Sequence, residues 1–230
     1  MNFKKRTFHV HLIESNAPGE PFAEGEAFAA IFKILKIEAH RHRVEDENDL
    51  IQAFEKIKED PDTPAGNHRY VLPWFHFALH ADADGILLSR KKRILWKRLF
   101  ELLGPLREKL EGNLMICMSA CYGFYGYKMA QTEERYTYYT LIGPRKDILW
   151  QDSVLAYHVF YNKLLGRKSE KHVKSANKSP TRMVHLRRAT RIKEAVDAMN
   201  RLGLSEAYRF GHTNGYQVRR EFLEKNKSNS

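Results

Sequence analysis

The segment Asn113–Ala120, NLMICMSA, constrains the fold more than any other stretch. It is apolar without alternation and has the length of a strand, well short of the ~18 residues of a membrane span. Such a run suits a strand buried on both faces, the situation of a central strand in a helix-covered parallel sheet. Strand-like and helix-like segments alternate around it. Thr7–Glu14 and Tyr70–Leu79 read as strands, Glu38–Val44 as a weaker one, and Tyr136–Ile142 as another. Glu24–Leu35 carries Phe28, Ile31, Phe32 and Leu35 at helical spacing. Asn48–Ile57 is a short helix with Asn48 as its N-cap. Gly85–Leu88 suits a short strand turning into helix Leu95–Leu110, which Gly104-Pro105 breaks. Trp150–Leu165 and Thr190–Leu202 are amphipathic helices, the second closed by Gly203. Repeated β-then-α units predict an α/β fold: an open, mostly parallel sheet with helices on both faces.

The 230 residues are 43% hydrophobic, enough for one sizeable core. We expect a single domain over 1–230: a core at about 7–166, a basic loop at 166–189, and a C-terminal helix and tail at 190–230, frayed from Lys225. A mean hydropathy of −0.57 suits a soluble protein. The start, MNFKKRTFHVHLIES, lacks the apolar stretch and cleavage site of a secretory signal, so a cytoplasmic location and no membrane partner are expected. Two cysteines, Cys117 and Cys121, exclude a disulfide scaffold, and they form no CxxC motif. The net charge of +11 is uneven: residues 1–150 hold 22 Lys+Arg against 21 Asp+Glu, residues 151–230 hold 17 against 7. The basic excess is local, and it allows an acidic partner for the last third.

Ligand sites of open α/β sheets lie beyond the carboxyl ends of the strands. The polar residues there are Glu14-Ser15-Asn16, His80, Ser119 to Tyr122, and Gly143 to Lys146. Two of these ends carry a candidate base and nucleophile. His80 closes one strand in HFALHADADG, and Cys121 closes the next in MICMSACYGFYG. An imidazole can take a thiol proton and later return it to a leaving amine. The amides of Cys121 and Ala81 are candidate oxyanion donors. Asp82, Asp84 and Asp152 are acids near these ends that would favour a basic substrate side chain, with solvated loop or helix-start acids as the alternative. Ser119 is small and uncharged. His9/His11 and His40/His42 place imidazoles in pairs on strand faces, but no motif-spaced third and fourth ligand accompanies them. Packed histidines are therefore expected, with no metal and no cofactor. His76 and Cys117 are read as core.

The ordered set resembles the caspase-like cysteine peptidases, particularly their bacterial CHAT-type branch. It comprises a strand ending in His, a Gly-containing turn, a helix, and an apolar strand ending in Ser119-Ala120-Cys121-x-Gly123. Leu141-Ile142-Gly143-Pro144, Trp150, Asp152-Ser153 and Phe160 to Gly166 are similar to the strand and helix that follow in that branch. Leu12-Ile13-Glu14-Ser15 fits its first strand, and Lys193 to Asn200 resembles a later helix. The resemblance implies a cysteine endopeptidase with His80 as general base and Cys121 as nucleophile, acting on a protein through an acyl-enzyme. It also implies activation by cleavage or by a protein partner, for which loop 166–182 is a candidate. The family usually has Gly where this chain has Ala81, which raises a second expectation: an impaired pseudo-peptidase serving as a binding or regulatory module. A third reading, ranked lower, is a nucleic-acid binder using Arg187, Arg188 and Arg191.

Overall fold

A computed structural model describes residues 9–16, 24–60, 73–89, 92–165, 180–202 and 209–228. The fold is α/β. Its larger sheet has the order β2-β1-β3-β7-β8-β9, with β1 His9–Glu14, β2 Glu38–Arg43, β3 Pro73–Ala78, β7 Met115–Met118, β8 Thr140–Pro144 and β9 Phe210–Thr213. All pairs are parallel except β8–β9. Strands β1, β3, β7 and β8 are buried along their whole length, as central strands covered by helices on both faces are, and in β1 this burial takes in His9, His11 and Glu14.

Two apolar clusters sandwich this sheet. On one face, helices α1 (Glu24–Ile34), α5 (Trp150–Leu165) and α6 (Pro180–Asn200) contribute Phe28, Phe32, Tyr157, Phe160, Tyr161, Val196 and Met199. On the other, α2 (Glu47–Glu59), α3 (Trp96–Leu102) and α4 (Gly104–Lys109) contribute Leu50, Phe54, Trp96, Leu99, Phe100 and Leu106. From β1 the chain moves outward to β2, then returns to the opposite side of β1 as β3. That reversal is a topological switch point, and the crevice it opens lies at the carboxyl ends of β1 and β3.

Several local expectations are corrected. The N-cap of α2 is Asp46, not Asn48: its carboxylate accepts from the backbone N–H groups of Asn48 and Asp49, and Asp49 reciprocates at the cap backbone. Gly85–Leu88 does not run directly into a helix. It contributes β5 (Gly85–Leu87) to a small antiparallel sheet with β4 (His80–Ala81) and β6 (Arg93–Leu95). The expected break at Gly104-Pro105 is present: it separates α3 from α4, which has Pro105 in its first turn, where the missing N–H costs nothing. β8 begins at Thr140 rather than Tyr136. The tail is not frayed from Lys225, because α7 (Gly215–Ser228) continues to Ser228 after β9. The expected basic loop 166–189 is helical from Pro180, so α6 begins ten residues before the expected Thr190; positions 166–179 lie outside the described residues, as does the Gly203 cap.

Candidate active site

The register of β3 and β7 sets the geometry. Their last aligned pair is Phe77↔Met118, and Ser119 N–H still donates to Phe77 C=O at 2.8 Å. His80 and Cys121 each lie three residues beyond that pair, His80 as the first residue of β4 rather than the last of β3, and Cys121 in the turn that follows β7. Both line one cleft of about 430 Å³ at the switch point, together with Ser15, Asn16, Glu24, Leu79, Ser119, Ala120, Ile148, Leu149, Trp150 and Ser153. The cleft is thus built from the ends of β1, β3 and β7 and the N-terminal ends of α1 and α5. The start of α1 also brings the Glu24 carboxylate to this cleft, which offsets the partial positive charge of that helix end.

The turn after Cys121 is sharp. Tyr122 is left-handed, at φ 54° and ψ 16°, and opens a 3-10 helix over Gly123–Ala130. A non-glycine residue in that region stores strain, a cost accepted where the preceding side chain must be presented. The turn can sit down on β8 because two glycines meet there. A Cβ on Gly143 would lie 2.6 Å from the carbonyl carbon of Gly123 and 2.7 Å from the Phe124 nitrogen. The loop after β8 is fastened to Cys121 and Tyr122 by three contacts. Tyr122 N–H donates to Lys146 C=O at 3.1 Å, Ile148 N–H donates to Cys121 Sγ at 3.4 Å, and the thiol donates back to Ile148 C=O at 3.6 Å. Burial pushes the Cys121 thiol above its ordinary pKa, and nearby Asp147 adds to this. Backbone N–H groups of Ile148 and of Cys121 itself act in the opposite direction.

Ala81 is buried beside His80 and does not line the cleft. The backbone angle that glycine would supply is not needed there: among the described non-glycine residues, positive φ occurs at Lys36, Glu111 and Tyr122. Asp82 N–H bonds Gly85 C=O at 3.0 Å, so Ala81↔Ile86 falls at the alternate, non-hydrogen-bonded position and the Ala81 N–H points away from β5.

The three sequence-chosen acids are not brought to the cleft. Asp82 closes the β4–β5 turn, accepting from the N–H groups of Asp84 at 2.8 Å and Gly85 at 3.1 Å, and it pairs with Arg93. Asp84 lies on the same turn, 3.9 Å from Lys128. Asp152 sits in the first turn of α5, while its neighbour Ser153 faces the cleft. The acid that does enter is Glu24, the first residue of α1. It accepts a hydrogen bond from Ser119, whose oxygen is 2.8 Å from that of Ser153. No sequence pattern links Glu24 to Ser119, because the contact spans 95 positions. Glu14 is drawn aside: buried, it accepts from Arg41 at 2.8 and 3.0 Å and from Arg43 at 2.8 Å.

His76 and Cys117 are core. His76 Nδ1 lies 2.9 Å from the Tyr161 hydroxyl, among Phe28, Phe32 and Tyr157, and burial lowers its pKa to about 3. Burial pushes the Cys117 thiol far up, which makes it a poor nucleophile. The β1–β2 register merges the two histidine pairs into one cluster. His11 Nδ1 lies 3.4 Å from His42 Nε2, and the ring centroids of His9 and His40 lie 5.1 and 5.6 Å from that of His11. Among the described residues no group of three or more His, Cys, Asp or Glu is placed to hold a metal ion. None of the described helices is long and apolar enough to cross a membrane. Comparison with protein-family models finds no match, and comparison with curated proteins finds none either.

Proposed function

We propose that this chain is a caspase-like cysteine endopeptidase whose nucleophile is Cys121 and whose general base is His80. The observation that carries the proposal is that both residues, each three positions past the last register pair of β3 and β7, line one cleft at the switch point. The chemistry follows from the groups there. Burial keeps the resting sulfur protonated, so His80 takes the thiol proton as the sulfur attacks the substrate carbonyl, rather than holding a standing ion pair. The developing oxyanion is served by the backbone N–H of Cys121, which lines the cleft where Ala81 does not. The imidazolium returns its proton to the leaving amine as the peptide C–N bond breaks. Water then attacks the thioester while His80 accepts a proton, releasing the acid and restoring the thiol.

Support is specific to Cys121. Of the two cysteines, it alone lines the cleft, and Cys117 is sealed in the sheet. A peptidyl electrophile incubated with the reduced protein at neutral pH is expected to add once, at Cys121, and not at all to Cys121→Ala. Absence of labelling in the wild type, or persistence in the variant, refutes the proposal.

The contact between Cys121 and Ile148 favours a second reading, a binding module whose thiol is permanently occluded. In that case a peptide binds the cleft while Cys121 stays unmodified. The nucleic-acid reading rests on Arg187 and Arg188, whose side chains lie outside the described residues, and on exposed Arg191.

A further inference from the structure

The ladder between β7 and β8 stops just short of the nucleophile, and the sequence gives the reason. Thr140 N–H of β8 donates to Leu114 C=O, and Cys117 is paired with Ile142. Donors along one side of a parallel strand recur every second residue, so Ile142 serves Ile116 and position 144 would serve Met118. The opposite edge of β7 agrees: Ser119 N–H turns to Phe77 of β3, so Met118, one residue earlier, faces β8. Position 144 is proline, which has no N–H to give. The Met118 carbonyl is thus denied its ladder partner three residues before Cys121, in a part of the sheet where Met118 is fully buried. A buried carbonyl without a donor is costly.

A side chain takes the place of that donor. Tyr157 of α5 is fully buried, and its hydroxyl lies 3.0 Å from Met118 C=O and 3.0 Å from Ile142 C=O. Burial pushes the phenol pKa far up, so the hydroxyl keeps the proton it donates. One turn earlier on the same helix, the Ser153 oxygen lies 2.8 Å from that of Ser119. Residues four apart share a helix face, so α5 holds two consecutive residues at the end of β7. The turn that carries Cys121 rests on this end. Gly123 N–H returns to Ala120 C=O at 3.0 Å, and a Cβ on Gly123 would lie 2.6 Å from Met118 Cβ and 3.1 Å from the Met118 oxygen. A shift of the Met118 carbonyl therefore carries the turn with it.

We infer that Tyr157 is a positioning residue of this site: its hydroxyl supplies the hydrogen bond that Pro144 cannot, fixes the end of β7, and so sets where the Cys121 sulfur stands in the cleft. The inference rests on the peptidase reading and adds to it a residue that acts through the backbone of β7.

The test follows modification of Cys121 by a peptidyl acyloxymethyl ketone, read by intact mass, and separates the maximal rate from the half-saturating concentration. Tyr157→Phe is expected to lower the maximal rate about tenfold or more and to leave the half-saturating concentration within about threefold. Tyr161→Phe removes a buried hydroxyl from the next turn of the same helix, where it lies 2.9 Å from His76 Nδ1, and both values are expected to stay within about threefold of wild type. Adding Pro144→Ala to Tyr157→Phe returns an N–H beside Met118, and it is expected to restore the maximal rate to within about threefold of wild type. An unchanged rate in Tyr157→Phe, an equal loss in Tyr161→Phe, or a double variant as slow as the single one overturns the inference and leaves the peptidase reading intact. If Tyr157→Phe alone does not fold, the double variant decides: recovery of fold and rate supports the inference, and a slow or unfolded protein overturns it. A wild type that is not modified at all defeats the peptidase reading, and this inference with it.

Discussion

Acidification should destabilise this protein in a window where its carboxylates are still charged. His11 is buried on β1 against Phe75 and against His9, His40 and His42, and burial followed by those neighbours lowers its pKa to about 2. His76, enclosed by aromatic rings, is lowered to about 3. An imidazole in the unfolded chain titrates near 6.5. Below that value the unfolded chain binds protons that the native state refuses, so the stability held by these groups is complete above pH 6.5 and lost as pH falls. At about 1.4 kcal/mol per pH unit, each group gives up about 2 kcal/mol by pH 5, or ~4 kcal/mol together. His42, lowered to about 4, adds in the same direction, but it faces water as well as Lys56 and Asp60, and screening reduces its share. Against a total of roughly 5–15 kcal/mol, the loss is large. Urea unfolding at pH 7.5 and 5.0, followed by fluorescence of buried Trp74 and Trp96, should show the midpoint falling by about 1–2 M at a slope of ~2–3 kcal/mol/M. His76→Gln should shrink that fall by close to half. A midpoint unchanged within about 0.3 M, or one that rises, would refute the reasoning.

Other substitutions test single contacts. Gly143→Ala forces a Cβ into the Gly123–Phe124 backbone, so it should cost about 1–3 kcal/mol in urea unfolding and slow Cys121 labelling. Gly25→Ala puts a Cβ against the buried Glu14 carboxylate that Arg41 and Arg43 hold, so it should cost about 1–3 kcal/mol in urea unfolding. Ala81→Gly should change the labelling rate by less than about threefold, ~0.7 kcal/mol, since no positive φ is required there. A large gain would mean that the backbone at Ala81 does limit the site.

Much of the scaffold was readable because it depends on local pattern. The apolar run at 113–120 and the stripes of α1 and α5 state their burial directly, and the switch-point rule then points to His80 and Cys121. What escaped reading depends on register or on very short elements. Strands β4, β5 and β6 have two or three residues each, too few for a period to register. Strand β9, Phe-Gly-His-Thr, has little apolar content, and Gly211 is there because Phe124 packs on it. The acids beside His80 in sequence are consumed by the hairpin turn, whereas Glu24 arrives from a distant helix start. The four-histidine cluster forms only once His11 is paired with His40.

The central claim is that His80 acts on the Cys121 sulfur across one cleft. Its most direct measurement is the second-order rate of Cys121 modification by a peptidyl acyloxymethyl ketone at pH 7.5, in wild type and in His80→Ala. General-base assistance predicts a loss of about a hundredfold or more in the variant, with peptide binding retained. Equal rates in the two proteins would contradict it.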